Sequence, residues 1–245
     1  KNPVLEYLRK SDADIICLQE HNISPTAKIH LNAKEVEEGM KAYPYRHIQR
    51  VGQENGNNRI AVYSRFPILS ARKLQYDSSY NGSAIYELKI NEDTITLINN
   101  HLESNKLTKA DKAVYEEMLK DPNAHKVKSG TQHLVGKLAE ASTIRAKQAD
   151  VIAAEIAASR HPYIIVCGDF NDTAISYTHR VIAEKLDDAF TESGQGLGIS
   201  YNQNKFYFRI DNILISKSLR AYNCTVDRSI KDSDHYPIWC YVAKR

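Results

Sequence analysis

The chain has 245 residues, of which 42% are hydrophobic and 26% are charged, with 10 glycines and 7 prolines. This composition excludes a disordered chain, a collagen-like repeat and a small disulfide-rich scaffold, and a chain of this length can bury a sizeable core. The net charge of +3 allows an anionic substrate but is too small to predict nucleic-acid wrapping by electrostatics alone. No apolar run reaches the roughly 18 residues of a membrane-spanning helix, so we expect the residues given to be soluble.

The predicted elements begin with a short amphipathic helix over residues 3–12, which has a proline near its start and apolar residues on one face. A short buried strand follows over 15–18, and a second amphipathic helix is predicted over 27–41. The chain then contains closely spaced β-type segments without intervening helices, which favours antiparallel pairing. These segments are residues 45–51, 59–64, 67–76, 83–90 and 94–100.

Residues 104–160 are rich in Ala, Lys and Glu and predict a helix over 108–119, a mobile loop, and a long helix over about 131–159. The chain then returns to predicted strands: 163–167, 207–216, 220–227 and 237–243. Strands, a helical segment and further strands together predict two sheets packed face to face with helices outside, in a single domain over 1–245.

The sequence contains four cysteines and no Cys-x-x-Cys pair: Cys17, Cys167, Cys224 and Cys240. The first two lie in apolar runs, where cysteine packs as a small hydrophobic residue. We therefore predict structural thiols in the core rather than a zinc site or disulfides.

Carboxylates, imidazoles and one amide stand where predicted strands begin or end: Glu20, His101, Asp169, Asn171, Asp211, Asp234 and His235. Most of them, taken singly, have an ordinary structural explanation, such as a turn, a solvated carboxylate or a core imidazole. Asp211 lies between Ile210 and Ile213, where a buried carboxylate requires a partner. Together the residues suit a hard divalent cation beside a histidine–carboxylate pair, and oxygen ligands favour Mg²⁺, Mn²⁺ or Ca²⁺ over zinc.

Five short motifs occur in an order that resembles the endonuclease/exonuclease/phosphatase superfamily with the DNase I-like fold: Leu18-Gln-Glu20, Asn99-Asn-His101-Leu, Gly168-Asp-Phe-Asn171, Arg209-Ile-Asp211 and Ser233-Asp-His235. The resemblance implies an α/β (α+β) fold, a four-layer α/β/β/α sandwich of two mainly antiparallel sheets. It also marks residues 104–130 as a helical insertion. The family's first strand, which carries an Asn at the metal–phosphate centre, has no counterpart in residues 1–245.

The resemblance further implies which residues hold the metal and which move the proton. Glu20 is expected to be the principal metal ligand, with Asp234 close to the metal, and Mg²⁺ is the expected cation, with Mn²⁺ or Ca²⁺ as alternatives. His235 is expected to act as general base, oriented by Asp211.

The same resemblance implies contacts with the substrate. Asp169 is expected to orient the nucleophilic water or assist the leaving group, and Asn171 to contact phosphate or metal. His101 is expected to donate a hydrogen bond to a non-bridging phosphate oxygen, so that it both binds substrate and stabilises charge.

These expectations predict hydrolysis of a phosphoester, foremost by a phosphodiesterase or nuclease. Alternatives are a phosphatase, a sphingomyelinase-like phospholipase, or a catalytically silent binding module of the same fold. Val166-Cys167 departs from the inositol-polyphosphate 5-phosphatase branch, and Phe208 departs from the AP-endonuclease branch. The segment from Gly168-Asp-Phe-Asn-Asp-Thr173 to Gly194-Gln-Gly-Leu-Gly198 resembles a poorly characterised bacterial-type branch. Some members of that branch carry N-terminal membrane helices that would provide a tether. We expect a monomer acting on nucleic acid, a lipid or a small molecule.

Overall fold

The computed structural model describes residues 2–23, 32–53, 56–120, 125–203 and 206–245. The helices are α1 Pro3–Lys10, α2 Ala33–Gly39, α3 Lys109–Lys120, α4 His125–Ala158, α5 Tyr177–Ile182 and α6 Ala189–Ser193. The strands are β1 Ile15–Leu18, β2 Tyr45–Arg50, β3 Arg59–Ser64, β4 Ile68–Lys73, β5 Gly82–Ile90, β6 Asp93–His101, β7 Tyr163–Asp169, β8 Leu186–Asp188, β9 Asp211–Ser216, β10 Leu219–Val226 and β11 Ile238–Lys244. None of the described helices has both the length and the apolar character needed to cross a membrane.

A six-stranded sheet in the order β4-β5-β6-β7-β9-β8 forms the centre of the molecule. Within it, β6 and β7 are parallel and every other neighbouring pair is antiparallel. The register places His101 opposite Asp169 and Asp169 opposite Asp211. The side chains of His101, Asp169 and Asp211 therefore stand side by side at the ends of three neighbouring strands, at one edge of this sheet.

The two faces of the central sheet bury different partners because side chains alternate along each strand. On β7, Ile164 and Val166 face one side and pack with Ile152 and Ile156 of α4. Tyr163 and Ile165 face the other side, towards the smaller sheets. The central sheet is therefore covered by helices on one face and by strands on the other.

The strands on that second face form a three-stranded sheet, β1-β3-β2, and a two-stranded sheet, β10-β11. Val62 of β3 packs towards the central sheet, whereas Ala61 and Tyr63 face outwards and pack against Val36 and Met40 of α2. The layers thus run helix, sheet, sheet, helix, which confirms the predicted four-layer α/β/β/α sandwich of mainly antiparallel sheets. The second sheet layer consists of two separate sheets within the described residues.

Several predicted boundaries are wrong. The loop predicted before residue 131 does not extend that far, because α4 already begins at His125 and continues through Gly130. That glycine marks a contact rather than a break, since a Cβ there would lie 2.7 Å from Cγ1 of Val114 in α3. β9 begins at Asp211 rather than at 207, and α5, β8 and α6 were not predicted. The predicted helix over 27–41 is α2 over part of its length, with 27–31 outside the described residues.

Candidate active site

The centre of the site is a histidine–carboxylate pair. Nδ1 of His235 lies 2.8 Å from Oδ2 of Asp211, and Nε2 of His235 lies 3.9 Å from Oδ2 of Asp169. Burial alone would lower the pKa of His235, but the carboxylates of Asp211, Asp169 and Asp234 outweigh it and raise that pKa to about 10. Asp211 therefore fixes the imidazole so that Nε2 faces Asp169.

The last residues of β7 and the turn that follows them set the position of Asp169. Gly168 has a φ of +125°, and a Cβ there would lie 2.1 Å from the carbonyl oxygen of Asn100, so glycine is required at this position. Asn171 also has a positive φ, and its backbone N–H donates to Oδ1 of Asp169 at 2.7 Å. The Asn171 side chain donates to Oδ2 of Asp169 at 3.1 Å and to the Leu102 carbonyl at 3.0 Å.

Asp169 is a buried carboxylate with a raised pKa. Its exposed fraction is 5%, and burial followed by the charge of Asp211 raises its pKa. Its Oδ2 atom lies 3.7 Å from Nε2 of His101. Asp169, Asp211 and His235 each offer one ligand atom, and these three atoms lie within 4.8 Å of one another.

His101 is buried, and Asn58, a residue that sequence reasoning missed, determines which of its ring nitrogens carries the hydrogen. Burial and then the positive charge of His235 lower the pKa of His101 to about 4, so the ring is neutral at pH 7. The Asn58 amide is oriented by the N–H of Arg59 at 2.9 Å and the carbonyl of Tyr80 at 3.1 Å. Its nitrogen consequently faces Nδ1 of His101 at 3.5 Å. The ring nitrogen that carries hydrogen is then Nε2, which points into the site.

Glu20 and Asp234 lie at the solvent side of this centre. The Glu20 side chain is 64% exposed, and its Oε1 atom lies 4.0 Å from Nε2 of His101. Partial loss of solvent and then the charge of Asp234 raise the pKa of Glu20, with His235 acting in the opposite direction. These two carboxylates are therefore close enough to influence one another, as ligands of one ion must be.

The donors fit a hard divalent cation. The carboxylates of the site offer oxygen ligands, which hard cations prefer. A bound cation would also reduce the electrostatic repulsion between these carboxylates. Asp211 and His235 already satisfy each other, which leaves Glu20 and Asp234 as the accessible pair. The structure thus brings the predicted site residues together at one edge of the central sheet: Glu20, His101, Asp169, Asp211, Asp234 and His235. Asn171 belongs to the same group through its hydrogen bonds to Asp169.

Helix α4 holds the loops that follow His101 and Asn171. Arg145 is buried and donates to the Glu103 carbonyl at 2.9 Å and to Asp172 at 3.1 Å. Gln148 accepts from the Glu103 N–H at 2.9 Å. This helix therefore fixes the spacing between the two loops that carry site residues.

The predicted insertion reaches the site through helix α3. Nζ of Lys112 lies 3.2 Å from the hydroxyl of Tyr201, whose ring is 5.1 Å from the His235 ring. Tyr115 stacks on Phe206 with ring centroids 4.1 Å apart. One face of the helix and the preceding turn line a cavity of about 380 Å³: Leu107, Lys109, Lys112, Ala113 and Glu116.

Comparison with known proteins agrees with the fold and the motifs. The sequence matches the model of the Endonuclease/Exonuclease/phosphatase family over residues 1–235, and no curated protein sequence matches it. The structure is similar to an endonuclease/exonuclease/phosphatase from Bacteroides vulgatus, with 14% identity and a TM-score of 0.67 over 100% of this chain and 90% of that one.

Two further solved structures share the fold. One is TDP2 of D. rerio humanized by 14 mutations, with 16% identity and a TM-score of 0.69 over 98% of this chain and 90% of that one. The other is a mannosyl-6-phosphatase of Bacteroides thetaiotaomicron, with 16% identity and a TM-score of 0.58 over 98% of this chain and 89% of that one. At such identities the likeness shows the fold alone. The family match extends over nearly the whole sequence and includes the five motifs, so the chain belongs to the Endonuclease/Exonuclease/phosphatase family.

Proposed function

We propose that the protein is a divalent-metal-dependent phosphodiesterase, with nuclease activity as its foremost form, that uses water activated by His235 and Asp211. Members of its family are hydrolytic phosphoesterases. The observation that carries the proposal is the 2.8 Å contact between Nδ1 of His235 and Asp211, which leaves Nε2 facing Asp169. This is the arrangement of a general base with its orienting carboxylate.

The proton moves through this pair. Nε2 of His235 would remove a proton from the attacking water, and Asp211 would stabilise the resulting imidazolium through Nδ1–H. The high pKa of His235 comes from the neighbouring carboxylates of Asp211, Asp169 and Asp234. A cation that neutralised part of this carboxylate charge would lower the pKa of His235 towards the range in which a histidine acts as a base. Asp169 faces Nε2 and would orient the water.

The phosphate is polarised by groups on the other side of the site. A divalent cation held by Glu20 and Asp234 would supply neutralisation of the charge on phosphate oxygens. His101 is neutral and would donate Nε2–H to a non-bridging oxygen. Both amide protons of Asn171 are used by Asp169 and Leu102, so its Oδ1 atom is the group suited to a cation.

A second candidate is a phosphatase acting on a small phosphorylated molecule. One structural neighbour carries the name mannosyl-6-phosphatase. A phospholipase remains the third alternative, to be decided by the substrate panel below.

The test is a substrate panel in Mg²⁺ or Mn²⁺, with and without EDTA: bis-nitrophenyl phosphate, plasmid DNA, RNA, sphingomyelin, inositol phosphates and mannose 6-phosphate. We expect diester cleavage that EDTA abolishes. The variant His235→Gln should lose roughly 10² to 10⁴ in rate, as expected for removal of a general base.

The matched control is His161→Gln, since His161 also contacts a carboxylate, Glu87 at 2.9 Å, but at the distant end of the central sheet. This variant should retain full activity. Turnover that survives EDTA would exclude the metal-dependent mechanism, and equal rates for the two histidine variants would exclude His235 as the base. Preference for mannose 6-phosphate over every diester would replace the diesterase by the phosphatase.

A further inference from the structure

Two cysteines face each other across a β-bulge. Strands β10 and β11 pair Tyr222 with Tyr241 and Thr225 with Trp239, and the register shifts between these pairs. Two residues of β10, Asn223 and Cys224, therefore stand opposite the single residue Cys240. Asn223 takes the positive φ of +53° and is exposed, which leaves Cys224 as the inward-facing partner of Cys240.

Both thiols lie on the inner face of the two-stranded sheet. Tyr222 and Tyr241 are 45% and 52% exposed and mark the outer face. Cys240 is next to Tyr241 and so points to the opposite face, where it packs in the same apolar cluster as Cys224. Cys224 is buried, whereas Cys240 is half-buried.

This placement satisfies the requirements of a disulfide. Directly opposed residues of an antiparallel pair have Cβ atoms about 4.5–5.5 Å apart, and a disulfide needs about 3.5–4.5 Å, so only a small adjustment is required. A bulge interrupts the ladder at this point and permits that adjustment. The thiols of Cys224 and Cys240 also hydrogen-bond to each other, so their sulfur atoms are adjacent.

We propose that Cys224 and Cys240 are a redox pair that forms a reversible intramolecular disulfide by exchange with a small-molecule disulfide such as oxidised glutathione. The more exposed sulfur, that of Cys240, attacks the glutathione disulfide as a thiolate and displaces one glutathione thiolate. The sulfur of Cys224 then attacks the mixed disulfide and displaces the second. Two protein thiols are oxidised, one glutathione disulfide is reduced, and the two protons end on two glutathione thiols.

The disulfide would connect β10 to β11, the strand that follows His235. Cys240 lies on β11, five positions after His235, and β11 is hydrogen-bonded to β10 within this sheet. A cross-link between positions 224 and 240 closes a short loop and removes conformations from the unfolded chain. We expect the oxidised protein to melt roughly 5–10 °C higher than the reduced protein. The inference does not depend on the hydrolytic function.

The other two cysteines must be distinguished in the experiment. Cys17 and Cys167 lie on β1 and β7 and share a different apolar cluster. Their thiols also hydrogen-bond to each other, which with burial raises the pKa of Cys17. Peptide mapping of the wild-type chain separates the two pairs without any substitution.

The folded protein is incubated with oxidised glutathione, quenched with N-ethylmaleimide and digested without reduction. We expect one cross-linked species joining the Cys224 and Cys240 peptides, two hydrogens lighter than the sum of the thiol forms, which dithiothreitol removes together with the rise in melting temperature. Cys240→Ser should lose both effects, and Asn223→Gly, which keeps the positive φ at the neighbouring bulge position, should keep the cross-link. Wild-type peptides that carry only maleimide, or only glutathione on separate cysteines, would overturn the proposal.

Discussion

The imidazole of His101 is held in one tautomer by an amide rather than by a carboxylate. Asn58 can offer only N–H to Nδ1, because its oxygen already accepts from the Arg59 backbone. We expect NMR of ¹⁵N-labelled histidine to show His101 with its proton on Nε2 at pH 7 and a pKa near 4. Asn58→Ala should give a tautomer mixture and, through loss of one hydrogen bond, reduce the rate by up to about tenfold.

The control for this experiment is Asn91→Gly, which keeps the positive φ of an exposed turn at the other end of the β5–β6 hairpin from His101. Its His101 spectrum should match that of the wild type. A wild-type ring with its proton on Nδ1 would contradict the assignment of the Asn58 amide and with it the expected donation to phosphate.

The position of a polar residue in the sheet could be predicted where it stands at the end of a strand, while its role in the site stays a prediction. His101 and Asp169 each close an apolar run, and neighbouring strand ends lie close together in a sheet. Asn58 could not be found in this way, because it stands in a turn-like run of asparagine and glycine and its partner lies 43 positions further along the chain. A polar residue directly before β3 was the one available signal.

At the scale of single elements, Asp188 joins a helix, a strand and a loop. It caps α6 and bonds to Arg209 at 2.7 and 3.0 Å and to His179 at 3.0 Å. Burial would raise its pKa, but His179 and Arg209 outweigh burial and hold that pKa well below its ordinary value. Asp188→Asn retains a capping side chain but leaves Arg209, which is 9% exposed, without its counter-charge, so unfolding should become easier by about 3–5 kcal/mol.

The pH dependence follows from the lowered pKa. The contribution of Asp188 is fully present above the pKa of an unfolded aspartate, about 4, and is lost as the pH falls below it. Urea unfolding should therefore show a large difference between wild type and Asp188→Asn at pH 7 that narrows at pH 3. Asp187→Asn is the control, because Asp187 pairs with Arg245 at the surface and should cost less than about 1 kcal/mol. Equal losses for the two variants would refute the argument.

We propose that helix α3 affects substrate choice, because its Lys112 contacts Tyr201, whose ring lies beside His235. Deleting residues 106–128 with a short Gly-Ser linker should increase cleavage of long duplex DNA relative to bis-nitrophenyl phosphate, without changing the metal requirement. Lys112→Ala, which removes the contact to Tyr201, should act in the same direction. Lys120→Ala, on the exposed end of the same helix, is the control. An unchanged substrate ranking in both variants would leave α3 without a part in selection.

Elements with a strong alternation or a long amphipathic pattern could be predicted, and β3, β5 and β6 lie within one residue of expectation. The short elements α5, β8 and α6 were missed because three to six residues carry too little periodicity to be distinguished from a loop. The loop predicted before residue 131 includes Gly130, yet Gly130 lies within α4, at a close contact of that helix with Val114 of α3.

At the scale of the whole molecule, the folded state gathers carboxylates that the unfolded chain keeps apart. A divalent cation should therefore bind the folded state preferentially and raise the melting temperature. At a concentration 100 times Kd the gain is about 2.7 kcal/mol, or roughly 5–10 °C for a chain of this size. Scanning fluorimetry with Mg²⁺, Mn²⁺ or Ca²⁺ against NaCl of equal ionic strength measures it.

Glu20→Gln should shift the midpoint of that titration to higher metal concentration, whereas Glu38→Gln, at an exposed pair with Lys41, should not. The absence of any stabilisation in the wild type, or identical titrations for the two glutamate variants, would contradict Glu20 as a ligand. This measurement requires no substrate, so it tests the metal independently of the reaction.

The parallel pairing of β6 and β7 has a consequence for how the protein folds. Sixty-one positions separate the end of β6 at 101 from the start of β7 at 163, and α3 and α4 occupy most of them. His101 and Asp169 can meet only after this long crossover has closed, which carries an entropic cost that local hairpins avoid. The hairpin of β5 and β6 should therefore form early and the reacting centre late, so that a partly folded chain already has ordered strands while it is still unable to act on a phosphoester.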